Sequence, residues 1–143
     1  MTDVAPAGFV AHFRKSKVTD PWEPLFSRSL ADAVQVGVWL RDVHCNSRGL
    51  VHGGVIATLA DNAMGLSLVQ MVMATPAGQT DSKIGAVTIG LSVDYVAAAK
   101  IGQWMQIEPR VVKAGRSLGF VQALITADGE VIARANSTFR ISA

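Results

Sequence analysis

Apolar and non-apolar positions alternate over residues 34–41, with Val34, Val36, Val38 and Leu40 set against Gln35, Gly37, Trp39 and Arg41. That period of two predicts a β-strand. It ends at the polar cluster His44–Gly49. A long apolar run then extends from Gly53 to Met73 and predicts a helix, closed by TPAG at 75–78. Apolar residues on all its sides predict a helix buried nearly all round. After the polar loop QTDSK (79–83), four strand-like runs follow. In 85–96, Val87, Ile89, Leu91, Val93 and Tyr95 share one face, and Thr88, Gly90, Ser92 and Asp94 the other. In 103–113, Pro109 marks an edge or a bulge. KAGRS turns the chain into 118–127, and Asp128-Gly129 predicts a tight hairpin before 130–141.

The first 20 residues are weakly periodic. Phe9 and Phe13, with Arg14, Lys15 and Lys17, suggest a short helix in this segment, followed by a single domain over 21–143. Two prolines in DPWEPLF (20–26) exclude a helix there and leave an extended segment. Short turns make the later strands antiparallel neighbours. A lone apolar helix has only that sheet to cover it. The predicted class is α+β, one long helix held in a curved antiparallel sheet. The semi-polar second face of 85–96 stays uncovered, so a dimer at least is expected.

Composition narrows the reading. The chain has 143 residues, half of them hydrophobic and 17% charged, enough for one core and too few for two ordinary domains. The net charge of +2 comes from scattered residues, with no basic run or aromatic interleaving for nucleic acid. The single cysteine, Cys45, forms no internal disulfide, and the N-terminus lacks a secretory pattern, so a cytoplasmic setting is expected. Gly53–Ala74 has the length of a membrane span. Asp61, Asn62 and Gln70 within it, and no basic anchors beside it, favour a soluble protein without a membrane partner.

The candidate chemistry lies in NSRGLVHGGVIATLADNAMG, residues 46–65. His44, Cys45 and His52 do not complete a local zinc set, so no metal is expected. HGG without a G-x-S-x-G elbow does not make an α/β-hydrolase. Gly53 and Gly54 open a helix, whose unpaired N–H groups and dipole suit an acyl oxyanion. Asp61 is a carboxylate inside an apolar helix, costly unless paired or functional. Asn46 suits a turn. Nine residues separate His52 from Asp61, a rise of roughly 13 Å, and steps of about 100° put them on opposite helix sides. Either they serve different purposes or two protomers share the site.

N-S-R-G-L-V-H-G-G followed by A-D-N-A-M-G resembles the hotdog-fold acyl-CoA thioesterases, in particular the phenylacetate-degradation (PaaI-like) branch of the 4-hydroxybenzoyl-CoA thioesterase superfamily. The resemblance runs from about DPWEPLF through VDYVAAAKIG and KAGRSLGFVQALI to IARANSTFR. It implies a hotdog fold and hydrolysis of an acyl-CoA by a dimer or a dimer-of-dimers tetramer, with no separate cofactor. The backbone N–H of Gly53 would polarise the thioester carbonyl, with Gly54 beside it. His52 would hold the loop near the thioester, and Asn46 would position it. Asp61 of the partner chain would act as base or nucleophile, with Thr88 holding the attacking water. Lys113, Gly115, Arg116 and Ser117 would contact coenzyme A. Met64, Leu68 and Met71 would border the acyl tunnel or pack in the core. A non-catalytic acyl-CoA-binding module is the alternative; a hydratase would need a His and acid motif absent from the sequence.

Overall fold

The computed structural model describes residues 4–75 and 83–142. The remainder of the TPAG stop and most of the QTDSK loop lie outside the described residues.

Seven strands form one antiparallel sheet in the order β1-β2-β3-β5-β6-β7-β4. They are β1 (Val10–Ala11), β2 (Phe26–Ser29), β3 (Val34–Trp39), β4 (Gly85–Tyr95), β5 (Trp104–Ala114), β6 (Leu118–Ala127) and β7 (Glu130–Ser142), and one helix, α1 (Gly53–Met73), packs on the sheet. Residues that alternate along β6 (Gly119, Val121, Ala123, Ile125) are buried toward α1, and Phe120, Gln122 and Leu124 between them are exposed. A Cβ on Gly119 would fall 2.4 Å from Leu68, so glycine there lets the helix approach the sheet closely. The core includes Val36, Val38, Leu59, Met64, Ile107 and Ile125. Each such side chain contributes roughly 1.5–3 kcal/mol by leaving water. The buried Ser67 hydroxyl donates to Ala63 O (2.8 Å) and accepts the N–H of Val34 (2.9 Å), fixing the start of β3 against the helix.

Several expectations hold. The helix has the bounds read from the apolar run, and β5, β6 and β7 follow one another as hairpin neighbours. Asp128 (φ 47°) and Gly129 (φ 86°) both take the left-handed conformation of a tight two-residue hairpin turn. Pairing of β3 with β5 ends at Ile107, so Pro109, which has no N–H to give, sits where that side of β5 has no partner strand.

Four expectations are corrected. The N-terminal segment contains no α-helix among its described residues; its backbone makes β1, which pairs with β2, and in the stretch read as extended Asp20–Trp22 form one 3-10 turn with Pro21 in its first positions, where no N–H is needed. β4 lies at the far edge beside β7, not next to β5. The connection between β4 and β5 is no hairpin, because it crosses the helix entry, where Ala99 O accepts the N–H of Val51. Alternation in β4 does not run unbroken: a bulge between Thr88 and Gly90 shifts the register. The extra residue switches the side facing α1, so both Thr88 and Tyr95 reach the helix. Finally, α1 is not buried all round. Val55, Ile56, Leu59, Ala60, Ala63, Met64, Ser67 and Leu68 are buried, but Asp61, Asn62, Gly65, Leu66 and Val69 are half-buried.

Candidate active site

The entry to α1 is built by side chains that consume its spare hydrogen-bonding groups. His52 is the N-cap, and its Nδ1 accepts the N–H of Gly54 at 2.8 Å. An accepting Nδ1 places the ring proton on Nε2, so the exposed face of His52 is a donor. The N–H groups of Val55 (3.0 Å) and Ile56 (3.3 Å) go to His52 O. Among the described residues the Gly53 N–H has no partner. It is the free donor at the positive end of the helix dipole. The Tyr95 hydroxyl donates to Gly53 O at 2.6 Å, and a Cβ on Gly53 would come within 3.1 Å of the Tyr95 ring.

The loop before the helix is equally constrained. His44 is fully buried; its Nδ1 accepts the N–H of Arg41 (2.9 Å), so its Nε2–H donates to Trp22 O (3.0 Å). Burial pushes its pKa down and keeps the ring neutral. His44 O accepts the N–H of His52 at 2.9 Å. Asn46 Oδ1 accepts from the N–H groups of Arg48 (2.9 Å) and Leu50 (3.2 Å), which closes the loop. Its amide NH2 has no partner among the described residues. A cavity of about 420 Å³ lies here, lined by Trp22, Val43, His44, Cys45, His52 and Gly54 among others.

Two turns further along α1, the Thr88 hydroxyl donates to Asp61 Oδ1 at 2.7 Å. The other carboxylate oxygen, Oδ2, has no partner among the described residues. Asp61 is half-buried in the single chain, not the enclosed carboxylate its apolar neighbours suggested. It opens onto a groove of about 200 Å³. Asp61, Asn62, Gly65, Leu66 and Val69 of α1 line it, with Ala86 and Thr88 of β4 on one side and Arg14 also present.

The other predicted residues fall elsewhere. Gly54 has its N–H engaged by His52. Met64 is fully buried and packs in the core away from this groove, as does Leu68. Lys113, Arg116 and Ser117 are exposed at the β5–β6 turn, where the Gly115 N–H donates to Leu118 O (2.8 Å). Leu118 pairs with Arg140, which pairs with Val87, so this turn shares an end of the sheet with Thr88. Sequence reasoning missed Tyr95, which read as one more apolar-face residue. It also missed Asn62 and Arg14 at the groove, and His12 bonded to Asn62; of these, only Asn62, adjacent to Asp61, carried a signal.

The sequence profile described as the thioesterase superfamily matches residues 48–133. The chain belongs to that superfamily. It is 31% identical over 137 residues to the provisionally named esterase PA0474 of Pseudomonas aeruginosa, covering 95% of this chain and 96% of that one. It is 30% identical over 101 residues to human acyl-coenzyme A thioesterase 13, covering 69% of this chain and 66% of that one. Among solved structures, zebrafish thioesterase superfamily member 2 superposes with a TM-score of 0.69 at 28% identity, covering 82% of this chain and 81% of that one. The protein smu.793 of Streptococcus mutans, solved bound to acetyl-CoA, superposes with a TM-score of 0.73 at 26% identity, covering 92% and 94%. The helix in its curved seven-stranded sheet is the hotdog fold.

Proposed function

We propose that the protein is an acyl-CoA thioesterase whose active site is shared between two chains. The observation that carries this reading is the Thr88–Asp61 bond together with the free Gly53 N–H. Thr88 spends its proton on Asp61 Oδ1, so its oxygen can accept. A water held by Thr88 Oγ1 and Asp61 Oδ2 has both protons engaged and a lone pair free. That water attacks the thioester carbonyl carbon and gives a proton to Asp61. The oxyanion forms at the Gly53 N–H, assisted by the helix dipole. Collapse breaks the C–S bond, and the coenzyme A thiolate takes the proton back from Asp61. Attack by Asp61 itself through an anhydride uses the same free Oδ2 and remains the alternative route.

The donors and the carboxylate lie roughly 13 Å apart along one helix, so one chain does not bring both to a single carbonyl. Two features support pairing of chains. The face of α1 that carries Asp61 is only half-covered, and β4 is a long edge strand carrying the exposed Val87 and Ile89. The acetyl-CoA bound by smu.793, and the name of the human relative, support acyl-CoA as substrate. Asn46, His52 and the 113–117 turn are read as holding the thioester and coenzyme A, and the PaaI-like branch as the nearest functional group.

The test is a panel of aryl- and alkyl-acyl-CoAs with detection of released thiol, run on wild type and Asp61→Asn. Wild type should release thiol. The variant, which keeps shape but cannot take a proton, should lose roughly 10²–10⁴-fold in kcat while still binding acyl-CoA. Binding without thiol release by wild type would identify an acyl-CoA-binding module instead.

A further inference from the structure

Arg14, an exposed residue of the N-terminal segment outside residues 48–133, lines the groove beside Asp61. His12, 1% exposed, anchors that segment: its N–H donates to Leu25 O (2.9 Å), and its ring Nε2 lies 2.9 Å from Asn62 Oδ1. A carbonyl oxygen only accepts, so His12 Nε2–H donates. This bond fixes the Asn62 amide with its NH2 end unpartnered among the described residues. Arg14, two residues on, lines the groove, and its guanidinium has no hydrogen-bond or ion-pair partner among the described residues. Successive helix residues differ by about 100°, so Asn62 and the His12–Arg14 segment lie on one side and Asp61 with Thr88 on the other. Gly65, Leu66, Val69, Ala86 and Phe139 between them offer no side-chain acceptor.

The groove therefore has an apolar floor, a carboxylate on one side, and two unpaired donors, one of them cationic, on the other. We propose that it selects thioesters whose acyl group ends in a carboxylate, bound by Arg14 and Asn62. This rests on the thioesterase reading of the same site. A carboxylate and a guanidinium make charge-assisted, often paired, hydrogen bonds. Asp61 repels an anionic acyl tail unless Arg14 neutralises it, so the selection depends on one side chain. At about 30 Å³ per water-sized group, about 200 Å³ holds on the order of six or seven such groups, a short dicarboxylic half-thioester.

The experiment compares glutaryl-CoA with pentanoyl-CoA, and adipoyl-CoA with hexanoyl-CoA, pairs matched in carbon number. Wild type should favour the carboxylated member in kcat/KM by roughly tenfold or more. Arg14→Met should bring the ratio near unity, and Arg14→Glu should push it below. Both members of a pair carry the same coenzyme A, so an Arg14 contact with its phosphates would leave the ratio unmoved. A wild-type ratio at or below unity, or one that Arg14→Met does not change, overturns the proposal while thiol release from pentanoyl-CoA keeps the thioesterase reading. No thiol from any member overturns both.

Discussion

The first turn of α1 and its midpoint are opposite in hydrogen-bonding character. At the first turn, local acceptors are already used: His52 Nδ1 by Gly54, His44 Nδ1 by Arg41, Asn46 Oδ1 by Arg48 and Leu50. Among the described residues three donors remain unpartnered, the Gly53 N–H, the His52 Nε2–H and the Asn46 amide. Around Asp61 the Thr88 hydroxyl proton is already spent on Oδ1, and the acceptors Asp61 Oδ2 and Thr88 Oγ1 remain. An oxyanion needs donors and a hydrolytic water needs acceptors. In the function proposed above, each region supplies one half of a thioester site, and a second chain supplies the other.

The largest effect that can break this comparison comes from mixing two inactive variants. Asn46→Ala removes a donor from the first turn, and Asp61→Ala removes the acceptor from the midpoint. Each alone should be severely impaired. After subunit exchange at equal amounts, roughly one site in four should recover both residues if sites span a two-fold dimer. Confirmed exchange without recovery would place both halves of the site in one chain.

A smaller effect sharpens the first turn alone. Tyr95→Phe removes the 2.6 Å bond to Gly53 O but keeps the ring that fixes the glycine. Gly53→Ala puts a Cβ 3.1 Å from that ring and displaces the turn. Gly53→Ala should lose roughly 10²-fold or more in kcat, comparable to losing an oxyanion donor, and Tyr95→Phe should lose less, roughly tenfold. Thermal unfolding should move little for Tyr95→Phe. Equal rates for Tyr95→Phe and wild type would show that the ring alone holds the glycine.

How much of this was legible in the sequence follows the range of the interaction concerned. The helix bounds, the β3 alternation and the Asp128-Gly129 turn are local, and the chain states them directly. Spacing alone separated His52 from Asp61. The bulge beside Thr88 is marked only by Gly90, a glycine inside a strand, because Val87 and Leu91 look alike whichever face they take. The place of β4 beside β7 depends on a crossover at Ala99 and Val51, which no turn residue announces. His12 reads as an ordinary polar residue in a basic segment; only the folded chain buries it against Asn62.

The smallest expected effect concerns the two buried histidines, His12 and His44. Burial lowers the pKa of His12 and of His44 below the ordinary value of 6.5. The unfolded chain then binds protons that the folded chain resists. Their contribution to stability is complete above pH 6.5 and is lost as pH falls through that value toward the folded pKa. Each group adds a slope of at most roughly 1.4 kcal/mol per pH unit in that window. His12→Gln keeps a donor able to reach Asn62 but does not titrate. Denaturant unfolding followed from pH 7 to pH 5 should therefore show a shallower loss of stability for His12→Gln than for wild type. His44→Gln should lower stability at pH 7, since two buried bonds depend on its ring, and flatten the same slope. A slope unchanged by either substitution would mean that the buried rings accept protons in the folded state as readily as in the unfolded one, so that burial does not lower their pKa.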